Sequence, residues 1–287
     1  MSKARRQHFI PRFVLNNFTD DTGHIYYCRR SESHSAVVRT TPTNVFVEKD
    51  LYSIKGDNNN IDVSLEHQFS RLEHVASQIV AKILLAVRVN ELPKLSRGDR
   101  IVLNNFVYYQ WKRVSDVVNS VASGLPFERI VRDGKREIEA QGGTVPLEEE
   151  ERLYRERDRL IHNAKVAAIA SSSSKVMPFL QKRGLKIFHI GEKQLSLAIG
   201  SNPIVRGRHN DTTSLDDLDV EVILPIAPDT ALVLSGGSPY SFQVRPLNDE
   251  HIVRDFNENV FRQSKAVASP SRQLLVSLVD RLGHCAP

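Results

Sequence analysis

The stretch over residues 62–89 constrains the fold most, because its apolar residues recur at steps of three and four. Eight apolar side chains follow this period: Leu65, Phe69, Leu72, Val75, Ala76, Ile79, Val80 and Ile83. Such spacing places them on one face, so we predict an amphipathic helix over 62–89. Asp62 is its expected N-cap.

Two further helical segments follow. Ser96 and Asp99 have the spacing of a capping box, so a second helix should begin there and run to about Val121. Pieces of helix are expected over Phe127–Ala140, and a third long helix should begin near Glu148 and continue through Ala170. We predict a helical, partly mobile insertion at about 96–180.

Both ends of the chain are β-rich. A turn at residues 20–23 separates the opening segment from two extended stretches that suggest a hairpin, at 24–29 and 35–40. Strands are also expected at 185–190, 195–199, 220–226 and 230–234, before a helix at about 248–263 and a further strand and helix near 271–282. The prediction is one α+β domain, 1–287, with β-rich N- and C-terminal parts packed on a central bundle of long helices.

Composition excludes several classes of protein. The 287 residues are 40% hydrophobic and 25% charged, which argues against collagen-like, disordered and disulfide-scaffold chains. Cys28 and Cys285 are too far apart to suggest a metal-binding spacing. No window is apolar enough for a membrane span and no signal peptide is evident, so a cytoplasmic protein without a membrane partner is expected.

The segment from Gln7 to Phe18 is the first that could carry chemistry. Pro11 favours an extended residue before it, and the aromatic residues would anchor the segment. His8 could then act as a general base or metal ligand, and Arg12 could bind a phosphate. The plainer alternative is a docked N-terminal segment in which His8 bonds a backbone carbonyl.

The second candidate is a pair of glutamates on the predicted helix. Glu66 and Glu73 are seven residues apart and therefore share one face. Two carboxylates so placed can bind a divalent ion such as Mg²⁺ or Mn²⁺, or divide acid and base roles. A charged helix face is more often simply solvated.

Basic residues and a polar turn form the third candidate. A strand should end at Gly200-Ser201-Asn202-Pro203, where Asn202 and Arg206 could contact substrate; the alternative is a simple turn with a basic rim. The net charge of +5 permits a nucleic-acid partner. Three basic groups would attract phosphate if they converged: Lys3, Arg5 and Arg6; Arg29 and Arg30; and Lys182, Arg183 and Lys186. No aromatic-plus-basic pattern of a single-strand-binding module is evident.

Taken together, these motifs resemble the bacterial "domain of unknown function 4238" proteins. The similarity rests on Gln7-His8-x-x-Pro11-Arg12-x-x-Leu15-x-x-Phe18, on Pro42-x-Asn44 through Tyr52, on Glu66 and Glu73, and on Ser201-Asn202-Pro203. It spans nearly the whole chain except about 120–175. The family usually has Thr-Ser-Asp before the Asn-Pro, whereas Ile199-Gly200-Ser201 stands here, so an acidic residue found in relatives is missing.

Two hypotheses follow for the activity. In the first, the protein is a metal-dependent nuclease-like hydrolase, such as an antiviral defence effector or toxin acting on RNA or DNA. His8, Glu66 and Glu73 would hold Mg²⁺ or Mn²⁺ and act with Arg12 in catalysis, while Gln7, Asn202 and Arg206 would bind substrate. In the second, the Gln7-His8-x-x-Pro11-Arg12 motif is a structural clasp in a non-catalytic protein that binds nucleic acid or another protein, and the two glutamates hold His8 or Arg12 in a buried polar network. A sensor with a small-molecule pocket, a protein partner and a homo-oligomer remain open.

Overall fold

The computed structural model describes residues 6–30, 36–56, 60–114, 126–174, 176–192, 194–207, 217, 219–238 and 241–282. Nine helices and thirteen strands in several sheets occur in these ranges, and about half of the residues are helical, which confirms the predicted α+β class. Within them the helices are α1 (Arg12–Asn17), α2 (Ser64–Arg88), α3 (Arg97–Lys112), α4 (Phe127–Ala140), α5 (Leu147–Arg155), α6 (Arg157–Ala170), α7 (Val176–Gln181), α8 (Glu250–Gln263) and α9 (Arg272–Leu282).

The strands of the described ranges are short and lie mostly at the two ends of the chain. They are β1 (Arg6–His8), β2 (Ile25–Arg29), β3 (Val38–Thr40), β4 (Val47–Lys49), β5 (Ile54–Lys55), β6 (Ile61–Asp62), β7 (Gly184–His189), β8 (Ile199–Gly200), β9 (Val205–Gly207), β10 (Glu221–Ala227), β11 (Thr230–Ser235), β12 (Phe242–Pro246) and β13 (Ala266–Ser269).

The largest sheet has five strands in the order β12-β7-β11-β10-β9. Only the β12–β7 pair is parallel among its pairings. Every residue of β11 is buried. A largely apolar run such as Thr230–Ser235 is typical of a strand that is covered on both faces. This sheet belongs to the C-terminal third and packs through β10 against α1.

A four-stranded sheet joins the two ends of the chain. Its order is β3-β2-β13-β8, so β13 lies between the N-terminal hairpin and β8. Ala268 is opposite Tyr27, and Ala266 is opposite Arg29. The predicted hairpin is confirmed, because β2 and β3 pair antiparallel. A separate two-stranded sheet pairs β1 with β4.

The long helix predicted over 62–89 is present as α2. Its apolar stripe packs into the larger core together with α3, and Ala76 and Ile83 are fully buried. Val63 occupies the N-cap position, although the Asp62 carboxylate still accepts a hydrogen bond of 2.8 Å from the Ser64 N–H. The predicted N-cap was therefore wrong by one residue, although the Asp62 side chain still accepts a backbone hydrogen bond at the start of the helix.

The other helix boundaries were predicted with mixed success. The capping box of Ser96 and Asp99 is present, with both reciprocal hydrogen bonds formed. Helix α3 ends at Lys112, well before Val121, and residues 115–125 lie outside the described part of the chain. The third predicted helix is divided at Glu156 into α5 and α6.

Candidate functional site

Gln7 is the centre of a buried polar network that ties β1 to the rest of the fold. Its side chain is 3% exposed. The amide Nε2 donates to Ser53 Oγ at 3.1 Å and to Glu66 Oε2 at 2.8 Å, while Oε1 accepts from the Tyr52 N–H at 2.7 Å. One side chain therefore connects β1, the segment after β4 and helix α2.

Glu73 has a different partner from Glu66. It forms an ion pair with Arg113, whose side chain is 2% exposed. Arg113 also donates twice to Gln110 Oε1, and Gln110 Nε2 donates to the Phe9 carbonyl at 2.8 Å. Because an arginine buried in this way needs a counter-charge, Glu73 is part of the structural pairing between α2 and the end of α3.

Tyr52 lies beside both glutamates and is almost completely buried. Its ring contacts Phe69 edge-on, with centroids 5.0 Å apart. The hydroxyl is buried and has no hydrogen-bond partner among the described residues. Burial raises the pKa of Tyr52, with the charges of Arg113, Glu73, Glu48 and Glu66 acting on it more weakly. The phenol therefore stays protonated.

His8 is half-buried, and its Nε2 lies 3.0 Å from the Pro42 carbonyl. This contact agrees with the alternative interpretation of His8, in which the histidine bonds a backbone carbonyl and has no catalytic or metal-binding role. Burial lowers the pKa of His8, and the charge of Arg12 lowers it further while that of Glu73 opposes both. Arg12 itself is exposed at the start of α1.

The predicted Mg²⁺ or Mn²⁺ ligands do not assemble into a metal centre in this structure. No group of three or more His, Cys, Asp or Glu side chains in the described ranges is arranged to hold a metal ion. Glu66 bonds Gln7, Glu73 pairs with Arg113, and His8 bonds Pro42. Each predicted ligand thus has a protein partner of its own.

The predicted substrate-binding residues Asn202 and Arg206 contact other elements. The Asn202 carbonyl accepts a hydrogen bond from Gln263 at the end of α8. Arg206 lies over the Trp111 ring, 5.9 Å from its centroid. Ser201, at the position where the resemblance leads one to expect an acidic residue, is buried, and its Oγ accepts from the Lys265 N–H at 2.9 Å. Here Ser201 fixes the start of β13.

A basic cleft of about 770 Å³ lies between β1, β4, the end of β2 and the start of β13. Its lining includes five cationic side chains and one carboxylate, that of Glu48. The cations are Arg6, Arg29, Arg30, Lys49 and Lys265. Arg6 meets Arg29 and Arg30 here, so members of the first two basic groups identified in the sequence converge. Lys3 and Arg5 lie outside the described residues.

The third basic group is not part of this cleft. Lys186 forms an ion pair with Glu221 at 2.7 Å. Arg183 is buried and donates to the backbone carbonyls of Val220 and Asp217. Arg183 and Lys186 stabilise the five-stranded sheet and its neighbouring loop and do not line the cleft.

The backbone at the cleft is strained in one place. Phe46 has a positive φ of 53°, which is uncommon for a bulky residue. Its carbonyl accepts from the Phe9 N–H at 3.0 Å, which holds this conformation in place. Strained backbone that the surrounding structure enforces is found most often at functional sites.

Sequence reasoning missed several residues of the Gln7 network and of the Glu73–Arg113 pairing. Gln110 and Arg113 lie together at the end of α3 and Tyr52 lies on a separate segment, and their partners in other segments are 40 to 101 positions away in the chain. Lys49 and Lys265 were missed in the cleft. Lys49 could have been noticed, because it lies within the Pro42–Tyr52 stretch that carries the family resemblance.

The fold and the site thus define an α+β protein with a basic cleft beside a buried polar network. We call this network, formed by Gln7 with Ser53, Glu66 and Tyr52, the clasp. The model of the family described as "Protein of unknown function (DUF4238)" matches residues 6–269, and the chain belongs to this family. Both the clasp and the cleft lie within the matched range. Searches of curated proteins and of solved structures found no match. Among the described helices, none is long and apolar enough to cross a membrane.

Proposed function

We propose that the protein binds nucleic acid in the basic cleft. The observation that carries the proposal is the pairing of Arg6 with Lys49, which stand directly opposite each other in the β1–β4 ladder. Like charges at opposite positions of an antiparallel pair destabilise a sheet. Both side chains line the cleft, where a phosphate group between them would relieve the repulsion.

The rest of the cleft supports the same proposal. Arg29 and Arg30 come from β2 and its end, and Lys265 precedes β13, so cations reach the cleft from several sides. A concave surface lined mainly by one sign of charge attracts polyanions more strongly than scattered surface charges do. The clasp around Gln7 gives this surface a rigid base, since it fixes the strand that carries Arg6.

In this proposal Gln7, Glu66, Glu73 and Arg113 are structural, as the second sequence hypothesis expects of the two glutamates, although these hold Gln7 and Arg113 and not His8 or Arg12. These residues are engaged with one another and with backbone groups. The expected partner is RNA or DNA. A role in defence against foreign nucleic acid would be compatible with such binding and stays a prediction.

Binding is tested by filter retention or mobility shift of labelled RNA and DNA. Wild type is compared with the double variant Arg6→Ala/Lys49→Ala and with the matched control Arg129→Ala/Arg132→Ala, which removes two exposed cations from α4. The proposal expects the first variant to bind at least tenfold more weakly and the control to bind like wild type. Equal affinities for all three proteins would overturn it.

The same proteins, together with Glu66→Gln, also test the hydrolase hypothesis. They are incubated with Mg²⁺, with Mn²⁺ and with EDTA, and the nucleic acid is then examined for cleavage. Metal-dependent cleavage that is lost in Glu66→Gln but kept in the cleft control would place catalysis at the predicted glutamate. Intact nucleic acid under all three conditions would leave binding as the activity.

A further inference from the structure

We infer that the cleft takes an unpaired nucleotide, with its base against Tyr27 and its phosphate among the surrounding cations. This inference rests on the proposed function and specifies the form of nucleic acid. The sequence showed no aromatic-plus-basic pattern, because the residues concerned come from four separate segments. The fold gathers them into one cleft.

The aromatic part of the cleft is a chain of three rings. Phe46 contacts Phe9 edge-on at 5.8 Å between centroids and contacts Tyr27 edge-on at 5.7 Å. Phe9 and Phe46 are buried, at 5% and 3% exposed, whereas Tyr27 is only partly buried. Tyr27 is therefore the ring of the three with most surface left for a ligand.

Tyr27 is held on a rigid strand and stands next to a cation. It lies in β2, which is paired on both sides, with Val38 opposite on β3 and Ala268 opposite on β13. Tyr27 and Arg29 are two residues apart in the strand, so their side chains leave the sheet on the same face. An aromatic ring beside a cation fits a base attached to its phosphate.

The shape of the cleft favours an unpaired nucleotide over a duplex. The bases of a duplex are stacked inside it, and a protein reaches their edges by inserting a helix or ribbon into a groove. Here the aromatic residue lines a concavity. A volume of 770 Å³ is in the range that holds a small organic molecule, about one or two nucleotides. Unpaired bases can enter such a cleft and stack on an aromatic ring.

The inference is tested by fluorescence anisotropy with a labelled 12-nucleotide single strand, as RNA and as DNA, and with the duplex of the same sequence. Wild type should bind the single strand at least tenfold more tightly than the duplex. This comparison needs no variant. Equal or tighter binding of the duplex would overturn the inference, although the proposed function would still stand.

Variants then test the role of the ring. Tyr27→Leu should bind the single strand about tenfold more weakly, and Tyr27→Phe should bind it like wild type. Tyr26→Leu is the matched control, because the adjacent Tyr26 packs against the other core cluster. Thermal melting checks that each variant is folded. Unchanged affinity in a folded Tyr27→Leu would contradict the inference.

A free nucleotide could present the same base and phosphate, so AMP is added as a competitor. Displacement of the strand by AMP at millimolar concentration supports a nucleotide-sized site. The relative affinities for AMP and for the strand then show whether the cleft prefers a free nucleotide or a nucleotide within a strand. Failure of AMP to displace the strand at any concentration up to 10 mM, together with unchanged binding by Tyr27→Leu, would overturn the inference. If wild type binds no nucleic acid at all, the proposed function itself fails.

Discussion

Arg6 and Lys49 face each other across the β1–β4 ladder, and both side chains line the same cleft. Opposite charges at directly paired positions contribute roughly 0.2–1 kcal/mol, and like charges oppose folding by similar amounts. This pair supports the proposal that the cleft binds an anionic ligand.

The first prediction separates stability from binding at this pair. Arg6→Ala should leave the melting temperature unchanged or raise it slightly, because it removes a repulsion. The same substitution should weaken binding of nucleic acid. Calorimetry and anisotropy on one sample measure both effects. A clear loss of stability in Arg6→Ala would mean that Arg6 has a structural role instead.

The second prediction concerns the clasp. Gln7→Ala should lower the free energy of unfolding by about 2–3 kcal/mol, since it leaves buried polar partners without a hydrogen bond. Urea unfolding followed by circular dichroism measures this. Gln141→Ala, at the exposed C-terminal end of α4, should change the free energy of unfolding by less than about 0.5 kcal/mol. Similar values for the two variants would contradict a buried clasp.

The third prediction distinguishes the two glutamates. Glu73→Gln removes the counter-charge of the buried Arg113 and should destabilise the protein by about 2–4 kcal/mol, less than for a fully buried pair because Glu73 is 26% exposed. Glu66→Gln keeps an acceptor oxygen for Gln7 and should cost about 1 kcal/mol or less. If Glu66→Gln proves the more destabilising of the two, the assigned partners are wrong.

The fourth prediction concerns the Tyr52 hydroxyl, which is buried without a partner in the described part of the chain. Tyr52→Phe should leave stability unchanged or raise it by about 1 kcal/mol, because a poorly solvated polar group is removed. Thermal and urea unfolding both report on this. A loss of stability would indicate that the hydroxyl makes an interaction in solution that is important for the fold.

The fifth prediction follows from His162, whose Nε2 lies 2.8 Å from the Ser53 carbonyl. Burial lowers the pKa of His162, and the nearby charges of Lys55 and Lys165 act in the same direction. The unfolded chain therefore takes up a proton at a higher pH than the folded protein. This histidine's contribution to stability is present above about pH 6.5 and is lost as the pH falls toward the lowered pKa.

His162→Gln should abolish that part of the pH dependence. The difference in melting temperature between wild type and variant should be larger at pH 8 than at pH 5. A difference that is constant across this pH range would show that His162 does not titrate differently in the folded and unfolded states.

The helices were predictable from sequence because their signals are local. The three- and four-residue period located α2 almost completely, and the spacing of Ser96 and Asp99 predicted the start of α3. Features that depend on a few residues were less predictable. The break at Glu156 leaves the helical pattern on either side intact, so periodicity did not reveal it.

The site was predictable only in part, because its contacts join distant segments. The family-like positions Gln7 and Glu66 do meet, 59 positions apart. The partner of Glu73 could not be predicted, since Arg113 lies at the end of a helix whose length was overestimated. The cleft likewise depends on the register that brings β13 beside β2, and no local pattern encodes a register between the two ends of a chain.

The central claim is that the cleft binds the phosphates of nucleic acid, and the salt dependence of binding tests it most directly. Anisotropy with a labelled single strand is measured from low to moderate salt for wild type and for Arg6→Ala/Lys49→Ala. For a cleft with five cations, log K should fall against log[salt] with a slope of about −3.5 in wild type. The double variant should show a slope smaller by about 1.4. A slope near zero, or equal slopes for the two proteins, would contradict the account.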